Sequence, residues 1–358
     1  MSASNDIASF LEACGLSHLT STFAVGILAD KIVEIFHEER RSTYYTSPIG
    51  KSQSRHNKPE VARGKLIDKY RNKLTMLRKT LASCETFTVE EKENISREMQ
   101  DSQVWLKHNT EPKDEVIRRW KLSFPIRKIG RLSLNEYLEE WPILRTQAAI
   151  DLIDCDFKEK FNLQASFDIC QKFEDFFTYI YNKRKALLKP SDESLFHLLE
   201  DQITTDSKNV IRSYLLSSLV PPRGRAKTGK IYWKPSVSEA RDGLFLQVKI
   251  PGDIESAKQE KIDFMYKKGL TIQPYIIVVG PNLCNIHAFY VIIDSKTYET
   301  KTFLDALKFC FEAYFVLDLK YTPESQHLWF LLQWEVFNII SENDINIPFM
   351  NDILRFKT

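Results

Sequence analysis

The sequence predicts a multidomain α+β protein with a helical N-terminal bundle, a mainly helical middle region and a small mixed-sheet α/β domain at the C-terminal end. The first observation is the length, because 358 residues are enough for two or three domains that each bury a core. The second is the helical spacing of apolar residues up to residue 219. The third is a change after residue 236, where short apolar runs of β-forming residues alternate with helical segments.

Three short helical segments predict a compact bundle at residues 1–58. The segment "DIASFLEACGL" has Asp6 as a candidate N-cap and Gly15 as its stop, and "SHLTSTFAVGI" repeats this pattern up to Gly26. The third segment, "LADKIVEIFHEER", places three apolar side chains on one face: Ile32, Ile35 and Phe36. A bundle of this size is too small to be an enzyme by itself.

The order of residues in this bundle resembles the first half of a sterile alpha motif (SAM) domain. The matching residues are Phe10-Leu11, Gly15-Leu16, Leu19, Phe23, Gly26-Ile27, Asp30 and Ile32-Val33. The stretch "SPIGKSQSR" is similar to the turn before the last helix of that domain, whereas the linker "HEERRSTYYT" departs from the usual acidic-polar segment. The resemblance implies association with proteins, including self-association, and in some members RNA binding. It implies no catalysis.

A second resemblance covers most of the chain. The segments "RGKLIDKYRNKL", "VWLKHNTEP", "IQPYIIVVG", "FLDALKFCFEAYFVLDLKY" and "PESQHLWFLLQ" are similar to a multicopy family of uncharacterised animal proteins from insects and fish. Members of that family often begin with a SAM-like region. The resemblance implies no known activity, and the high copy number suggests a connection with mobile genetic elements.

The middle region, residues 59–219, is predicted to contain a basic helix at 60–82. Leucines and a tyrosine recur on one stripe of this helix at spacings of three and four. Its cations are the first candidate contacts for nucleic-acid phosphates: Arg63, Lys65, Lys69, Arg71, Lys73 and Arg78. The alternatives are a solvated helix face and pairing with the acidic segment 85–101. Further helices are expected at 88–107, 113–121, 132–140, 144–153, 166–187 and 193–218.

Residues 220–236 are rich in proline, glycine and basic residues, which predicts a linker or an exposed basic loop. The segment "GRAKTGKI" nearly matches the phosphate-binding pattern GxxxxGK[ST], but Ile231 stands where a magnesium-binding hydroxyl is required. Pro221-Pro222 and Pro235 also argue against the strand and helix that should flank such a loop. The cations of the segment remain candidate phosphate contacts: Arg223, Arg225, Lys227 and Lys230.

The C-terminal domain, residues 237–358, is predicted to combine strands and helices. Strands are expected at 244–250, 275–280, 288–294, 297–300 and 314–319, with a tight hairpin around Ser295-Lys296. Helices are expected at 253–268, 302–312 and 323–340, the last opened by Thr322-Pro323. The aromatic run "FCFEAYF" at 309–315 is predicted to lie in the core.

Cys284 and His287, between two apolar runs, raise the question of a catalytic hairpin. A nucleophilic cysteine needs an activating base and an orienting third group, and a structural zinc usually needs four ligands. The sequence shows only the spacing of these two residues, so we favour two buried strands joined by a loop. Redox or catalytic use and metal binding stay open as alternatives.

The cysteine spacing, the N-terminal sequence and the hydropathy predict where the protein is located. The six cysteines are widely spaced without a CxxC pair, and the start "MSASNDIASF" shows no secretory signal pattern. No apolar run is long enough to span a membrane. We therefore expect an intracellular protein, nuclear or cytoplasmic, with no cofactor and no bound metal.

Two functions follow as expectations. The leading one is a non-enzymatic protein–protein interaction or scaffold protein that acts through the SAM-like bundle, by binding a protein partner or by self-association. The alternative is a nucleic-acid-associated protein, of mobile-element origin, that binds the backbone phosphates of DNA or RNA through the basic segments 51–79 and 223–234. A cryptic enzyme at Cys284 and His287 is the third hypothesis.

Overall fold

The computed structural model describes residues 21–49, 61–68, 96–128, 133–163, 168–228, 231–341, 344 and 353. The chain divides into two compact units: unit 1 comprises Met1–Ile95 with Lys128–Arg131, and unit 2 comprises Ser96–Arg127 with Leu132–Thr358. In the described part, the fold is mixed and mostly helical, with a small four-stranded sheet in the C-terminal part.

The α-helices are α1 (Ser21–Ile35), α2 (Arg41–Tyr44), α3 (Arg97–His108), α4 (Lys113–Leu122), α5 (Phe124–Lys128), α6 (Leu134–Glu140), α7 (Ala149–Lys160), α8 (Ile169–Arg184), α9 (Pro190–His197), α10 (Thr205–Leu219), α11 (Val237–Asp242), α12 (Ile254–Lys267), α13 (Phe303–Val316) and α14 (Gln326–Leu331). Short 3-10 helices lie at Pro142–Arg145, Lys185–Leu187, Leu198–Glu200 and Pro251–Asp253, and a π-helix lies at Leu332–Val336. The strands are β1 (Ala226–Thr228), β2 (Ile231–Trp233), β3 (Phe245–Val248), β4 (Tyr275–Val279), β5 (Ala288–Ile293) and β6 (Lys296–Thr300).

In unit 1, α1 passes through Gly26 without ending there, so the predicted helix stop at this glycine is wrong. A Cβ atom at Gly26 would lie 3.5 Å from the ring of Tyr45. This is an ordinary van der Waals distance, so Tyr45, which is buried with Ala29, Ala62 and Ile67, does not require a glycine at this position. The first predicted helix, around 6–15, lies outside the described residues.

The core of unit 2 surrounds α13, whose residues are apolar on almost every side of the helix. A helix with this pattern is buried all round, and α13 packs against α7, α8, α10 and the sheet. Phe309, Phe311 and Tyr314 are each no more than 2% exposed. The predicted core position of the run at 309–315 is thus confirmed.

The four-stranded sheet has the order β3-β4-β5-β6. The pair β3–β4 is parallel, with α12 as the crossover, and the other two pairs are antiparallel. Alternate β4 side chains enter two apolar clusters: Ile276 and Val278 join the large core, whereas Ile277 and Val279 join a second cluster with residues of α12. The sheet therefore lies between α13 and α12.

The β5–β6 hairpin turns at Asp294 and Ser295, one residue before the predicted position. Asp294 takes a φ of 55°, which a short polar side chain tolerates in such a turn. The outer edge of β6 is covered by Gln147, whose side-chain amide donates to the Glu299 carbonyl and accepts from the Glu299 N–H at 3.3 Å. Tyr298 also donates to the Leu144 carbonyl at 2.7 Å.

Several predicted elements need correction. The strand predicted at 314–319 is instead the last three residues of α13 and the turn after it, because a short apolar run is compatible with either a buried helix or a strand. The helix predicted at 193–218 is two helices, since the extended backbone and side chain of Thr204 cap a new start at Thr205. Likewise, Ser96 caps α3, so no single helix covers 88–107.

The last predicted helix, at 323–340, is shorter than expected. Its α-helical part begins at Gln326 and passes into the π-helix at Leu332–Val336. The expected N-cap, Thr322, instead hydrogen-bonds the hydroxyl of Ser325 at 2.7 Å within a preceding turn. In the part of the chain that the structure describes, no helix has the length and hydropathy needed to cross a bilayer.

Candidate functional site

The candidate cations of the basic helix are only partly described. Arg63 and Lys65 are exposed in unit 1, while Lys69, Arg71, Lys73 and Arg78 lie outside the described residues. The backbone of Arg63 pairs with Thr46 in an isolated β-bridge, through N–H···O bonds of 2.8 and 3.2 Å. The Lys65 ammonium lies 5.7 Å from the centre of the Tyr44 ring. These contacts fix the start of the basic helix against α2.

The predicted linker at 220–236 contains an antiparallel ribbon formed by β1 and β2. Its register pairs Ala226 with Trp233 and Lys227 with Tyr232. Arg223 and Arg225 are exposed before the ribbon, and Lys234 is exposed directly after it. Lys230 and the side chain of Lys227 lie outside the described residues.

The strands of the ribbon also limit the ways in which its cations can contact a phosphate group. In a nucleotide-binding phosphate loop, a helix N-terminus follows the glycines directly. Here β2 follows, and the next helix, α11, begins only after a capping box formed by Ser236 and Glu239. The segment can therefore contact phosphates through exposed side-chain cations, without the backbone cradle of a nucleotide site.

The ribbon is attached to the C-terminal end of α12. The Lys268 ammonium lies 5.0 Å from the centre of the Trp233 ring, and it also pairs with Glu239 of α11 at 3.7 Å. Two neighbouring residues, Tyr266 and Lys267, are exposed at the same helix end. Sequence reasoning missed both residues.

A buried lysine joins α11 and α12 beneath this region. Lys261 donates to the Asp242 carbonyl at 3.0 Å and to the Glu324 carboxylate at 3.4 Å. Burial lowers the pKa of Lys261, with Glu324 acting in the opposite direction, and burial raises the pKa of Asp242. Lys261 therefore joins α12 to the end of α11 by a hydrogen bond to a backbone carbonyl, and to the turn before α14 by a buried ionic contact.

The loop with Cys284 and His287 joins two buried antiparallel strands, as predicted. Gly280 permits its tight return, because a Cβ atom there would lie 2.0 Å from the Asn285 carbonyl oxygen. The side-chain oxygen of Asn282 accepts from the N–H groups of Cys284 and Asn285, at 3.0 and 3.1 Å. Cys284 is half-buried and His287 is exposed.

An open depression of about 460 Å³ lies at the carboxyl ends of the parallel strands β3 and β4. It is lined by Leu195, Leu198, Gln247, Lys249, Pro281, Asn282, Leu283 and Cys284. His287 is not among the lining residues. Nor do the described residues contain a group of three or more His, Cys, Asp or Glu side chains that could hold a metal ion.

No protein-family model, curated protein or solved structure matches this chain. The similarity to a SAM domain and to a multicopy animal family therefore stays a prediction from the sequence.

Proposed function

We propose that this chain is a non-enzymatic interaction or scaffold protein that associates through its SAM-like N-terminal bundle. The observation that supports the proposal is the exposure of large apolar side chains in the described part of unit 1. Ile35 is 70% exposed, Phe36 is 60% exposed and Val61 is 73% exposed. The proposed setting is the nucleus or cytoplasm, and the proposed activity needs no cofactor.

The energy of burial favours association at these side chains. Burying a large apolar side chain stabilises a contact by roughly 1.5–3 kcal/mol, and a few such anchors dominate most protein interfaces. Ile35 and Phe36 are adjacent at the end of α1, so one partner surface can cover both. We propose that the partner is a second copy of this chain.

Sedimentation of the full chain over a concentration series tests this proposal. We expect a reversible dimer or larger species at concentrations up to about 100 μM. The double variant Ile35→Asp/Phe36→Asp should weaken association at least tenfold. The matched control is Leu187→Asp, because Leu187 is a 49% exposed apolar residue of unit 2. A wild-type chain that stays monomeric throughout, or a control with the same effect, would refute self-association.

The second candidate function is binding to the backbone phosphates of DNA or RNA. The observation in its favour is the exposure of cations in both predicted basic segments: Lys65 in the first, and Arg225 and Lys234 around the second. Between Arg223 and Lys234 the chain has five basic residues and no acidic residue. Such a surface attracts phosphate without reading sequence.

Fluorescence anisotropy of labelled duplex DNA and RNA across a salt series tests this second function. Affinity should fall steeply with salt, because bound phosphates release counterions. The triple variant Lys65→Glu/Lys69→Glu/Lys73→Glu and the double variant Arg225→Glu/Lys234→Glu show which basic segment contributes. Absence of binding at low salt would reject the candidate.

A further inference from the structure

The open depression at the carboxyl ends of β3 and β4 lies at the rim of the large core of unit 2. Phe245 of β3 is buried in that core, and alternate residues of a strand share one face of the sheet. Gln247 therefore lies on the core face, and Lys249 follows at the end of the strand; both line the depression. On the opposite wall, Leu195 and Leu198 pack against the same core.

Hydrogen bonds hold the walls of the depression in place. The side-chain amide of Gln247 donates to the Gly280 carbonyl at 3.0 Å, which joins β3 to the loop after β4. The Asn282 side chain accepts from two N–H groups within that loop. The Ile286 N–H donates to the Ser207 hydroxyl at 3.2 Å and so attaches the end of the loop to α10. The depression is therefore formed before any ligand binds, as is usual for small-molecule sites.

The lining combines apolar side chains with a single charge. Its apolar residues are Leu195, Leu198, Pro281 and Leu283. The lining contains one cation, Lys249, and no acidic residue. Lys249 forms no ion pair with the acidic residues that the structure describes. An apolar molecule with one carboxylate matches this lining, because its hydrocarbon can be buried against the leucines while the carboxylate accepts from the ammonium.

The size and position of the depression favour a small molecule over a protein partner. Its volume of about 460 Å³ is within the range of roughly 300–1,000 Å³ that is typical of ligand sites. Ligands of open α/β sheets bind outside the carboxyl ends of the strands, where this depression lies. Eight residues line it, whereas a stable protein interface takes about 20–30 residues on each side.

We propose that this depression is a binding site for a small amphipathic carboxylate of the medium-chain fatty acid class. Lys249 binds the carboxylate, and the leucines of the two walls contact the hydrocarbon chain. Cys284 lies in the wall beside the ligand. The inference is independent of self-association and of nucleic-acid binding.

Alkylation of Cys284 in the full chain reports whether the site is occupied. Iodoacetamide is the reagent, octanoate is the probe ligand, and mass spectrometry of peptides measures the rate at each cysteine. Saturating octanoate should slow alkylation of Cys284 by about tenfold, because the rate depends on access to the thiol. The internal control is Cys170, an exposed cysteine of α8 outside the depression, whose rate should not change.

Two matched probes test the preference for a carboxylate. Octylamine has a chain of the same length with the opposite charge, and octanol has the chain without a charge. Titration calorimetry should give octanoate a Kd of about 1 mM or below. Octanol should bind about fivefold more weakly, because it lacks the ion pair with Lys249. Octylamine should bind more weakly than octanol.

Variants separate the charge from the apolar wall. Lys249→Met should weaken octanoate binding by about fivefold and leave octanol binding unchanged. The matched control is Lys296→Met, which removes an exposed lysine of β6 at the other edge of the sheet and should have no effect. Leu198→Asn should weaken the binding of both ligands. Circular dichroism of each variant checks that the fold is retained.

Several results would overturn the inference. Octanoate that leaves the alkylation rate of Cys284 unchanged, or that slows Cys170 equally, would show that the depression is not its site. Equal affinity for octylamine, or unchanged octanoate binding in Lys249→Met, would show that Lys249 does not select an anion. Protection of Cys284 that increases with protein concentration alone would show that a second copy of the chain covers the depression.

Discussion

The guanidinium of Arg127 donates two hydrogen bonds, of 2.9 and 2.5 Å, to the carboxylate of Asp156 in the interior of unit 2. The two side chains are only 2% and 6% exposed. The guanidinium also lies 3.7 Å from the centre of the Trp120 ring and donates to the Trp120 carbonyl and the Ser123 hydroxyl. This pair joins α5 to α7 with most of its hydrogen-bonding capacity satisfied.

Removing only one member of this pair should destabilise the folded protein. Arg127→Met leaves the Asp156 carboxylate buried without its counterion, so we expect a loss of about 3–5 kcal/mol in the free energy of unfolding. Urea denaturation measures it. The double variant Arg127→Met/Asp156→Leu should recover much of the loss, because neither charge is then buried alone. A single variant as stable as wild type would contradict this account.

Glu312 should make stability fall as pH rises. Burial raises the pKa of this carboxyl to about 8, although Lys308 lies 3.5 Å away. From pH 4.5 to 8 the unfolded chain releases the proton while the folded chain keeps it, so folding becomes less favourable. Glu312→Gln should remove a dependence on the order of 5 kcal/mol across this range. Denaturation of both proteins at several pH values provides the test, and parallel curves would refute it.

His327 should make the folded protein less stable at acidic pH. Burial lowers its pKa to about 4, and its Nε2 donates to the Val220 carbonyl at 3.0 Å, since a carbonyl can only accept. Between pH 6.5 and 4 the unfolded chain takes up a proton that the folded chain excludes, so stability falls as pH falls. His327→Gln keeps a donor but does not titrate. We expect its unfolding midpoint in urea to change less than that of wild type over this interval.

Gly280 and Gly252 allow a crowded glycine position to be compared with an uncrowded one. A Cβ at Gly280 would overlap the Asn285 carbonyl, whereas the nearest atom to a Cβ at Gly252 is 3.9 Å away. Gly280→Ala should therefore destabilise the protein by about 1–3 kcal/mol, measured by thermal unfolding. Gly252→Ala should change stability by less than about 0.5 kcal/mol. Equal melting temperatures for the two variants would show that the loop relaxes freely.

The sequence predicts regular elements best where one pattern is compatible with one structure. The runs that form β4 and β5 are short, apolar and bounded by turn residues, so both strands were predictable. The apolar run that ends α13 is compatible with a helix and with a strand, and its assignment depends on the neighbours that bury it. In the sequence, the N-caps Thr204 and Ser96 are only single polar residues. The helix boundaries at these two positions were therefore not predicted.

The candidate site shows the same limit. The cations of the ribbon could be predicted because they lie within one short segment of the sequence. The contact of the ribbon with α12 could not, since Trp233 and Lys268 are far apart in the sequence. Sequence periodicity does not encode such a contact between distant segments.

The amide of Gln147 has a consequence for the behaviour of the protein at high concentration. An exposed strand edge offers unpaired N–H and C=O groups on which a strand of another molecule can add. At β6 the Gln147 side chain already bonds both backbone groups of Glu299, in the same donor and acceptor pattern that an added strand would use. Intermolecular sheet growth from this edge must first displace that side chain, so Gln147 protects the folded protein against aggregation there.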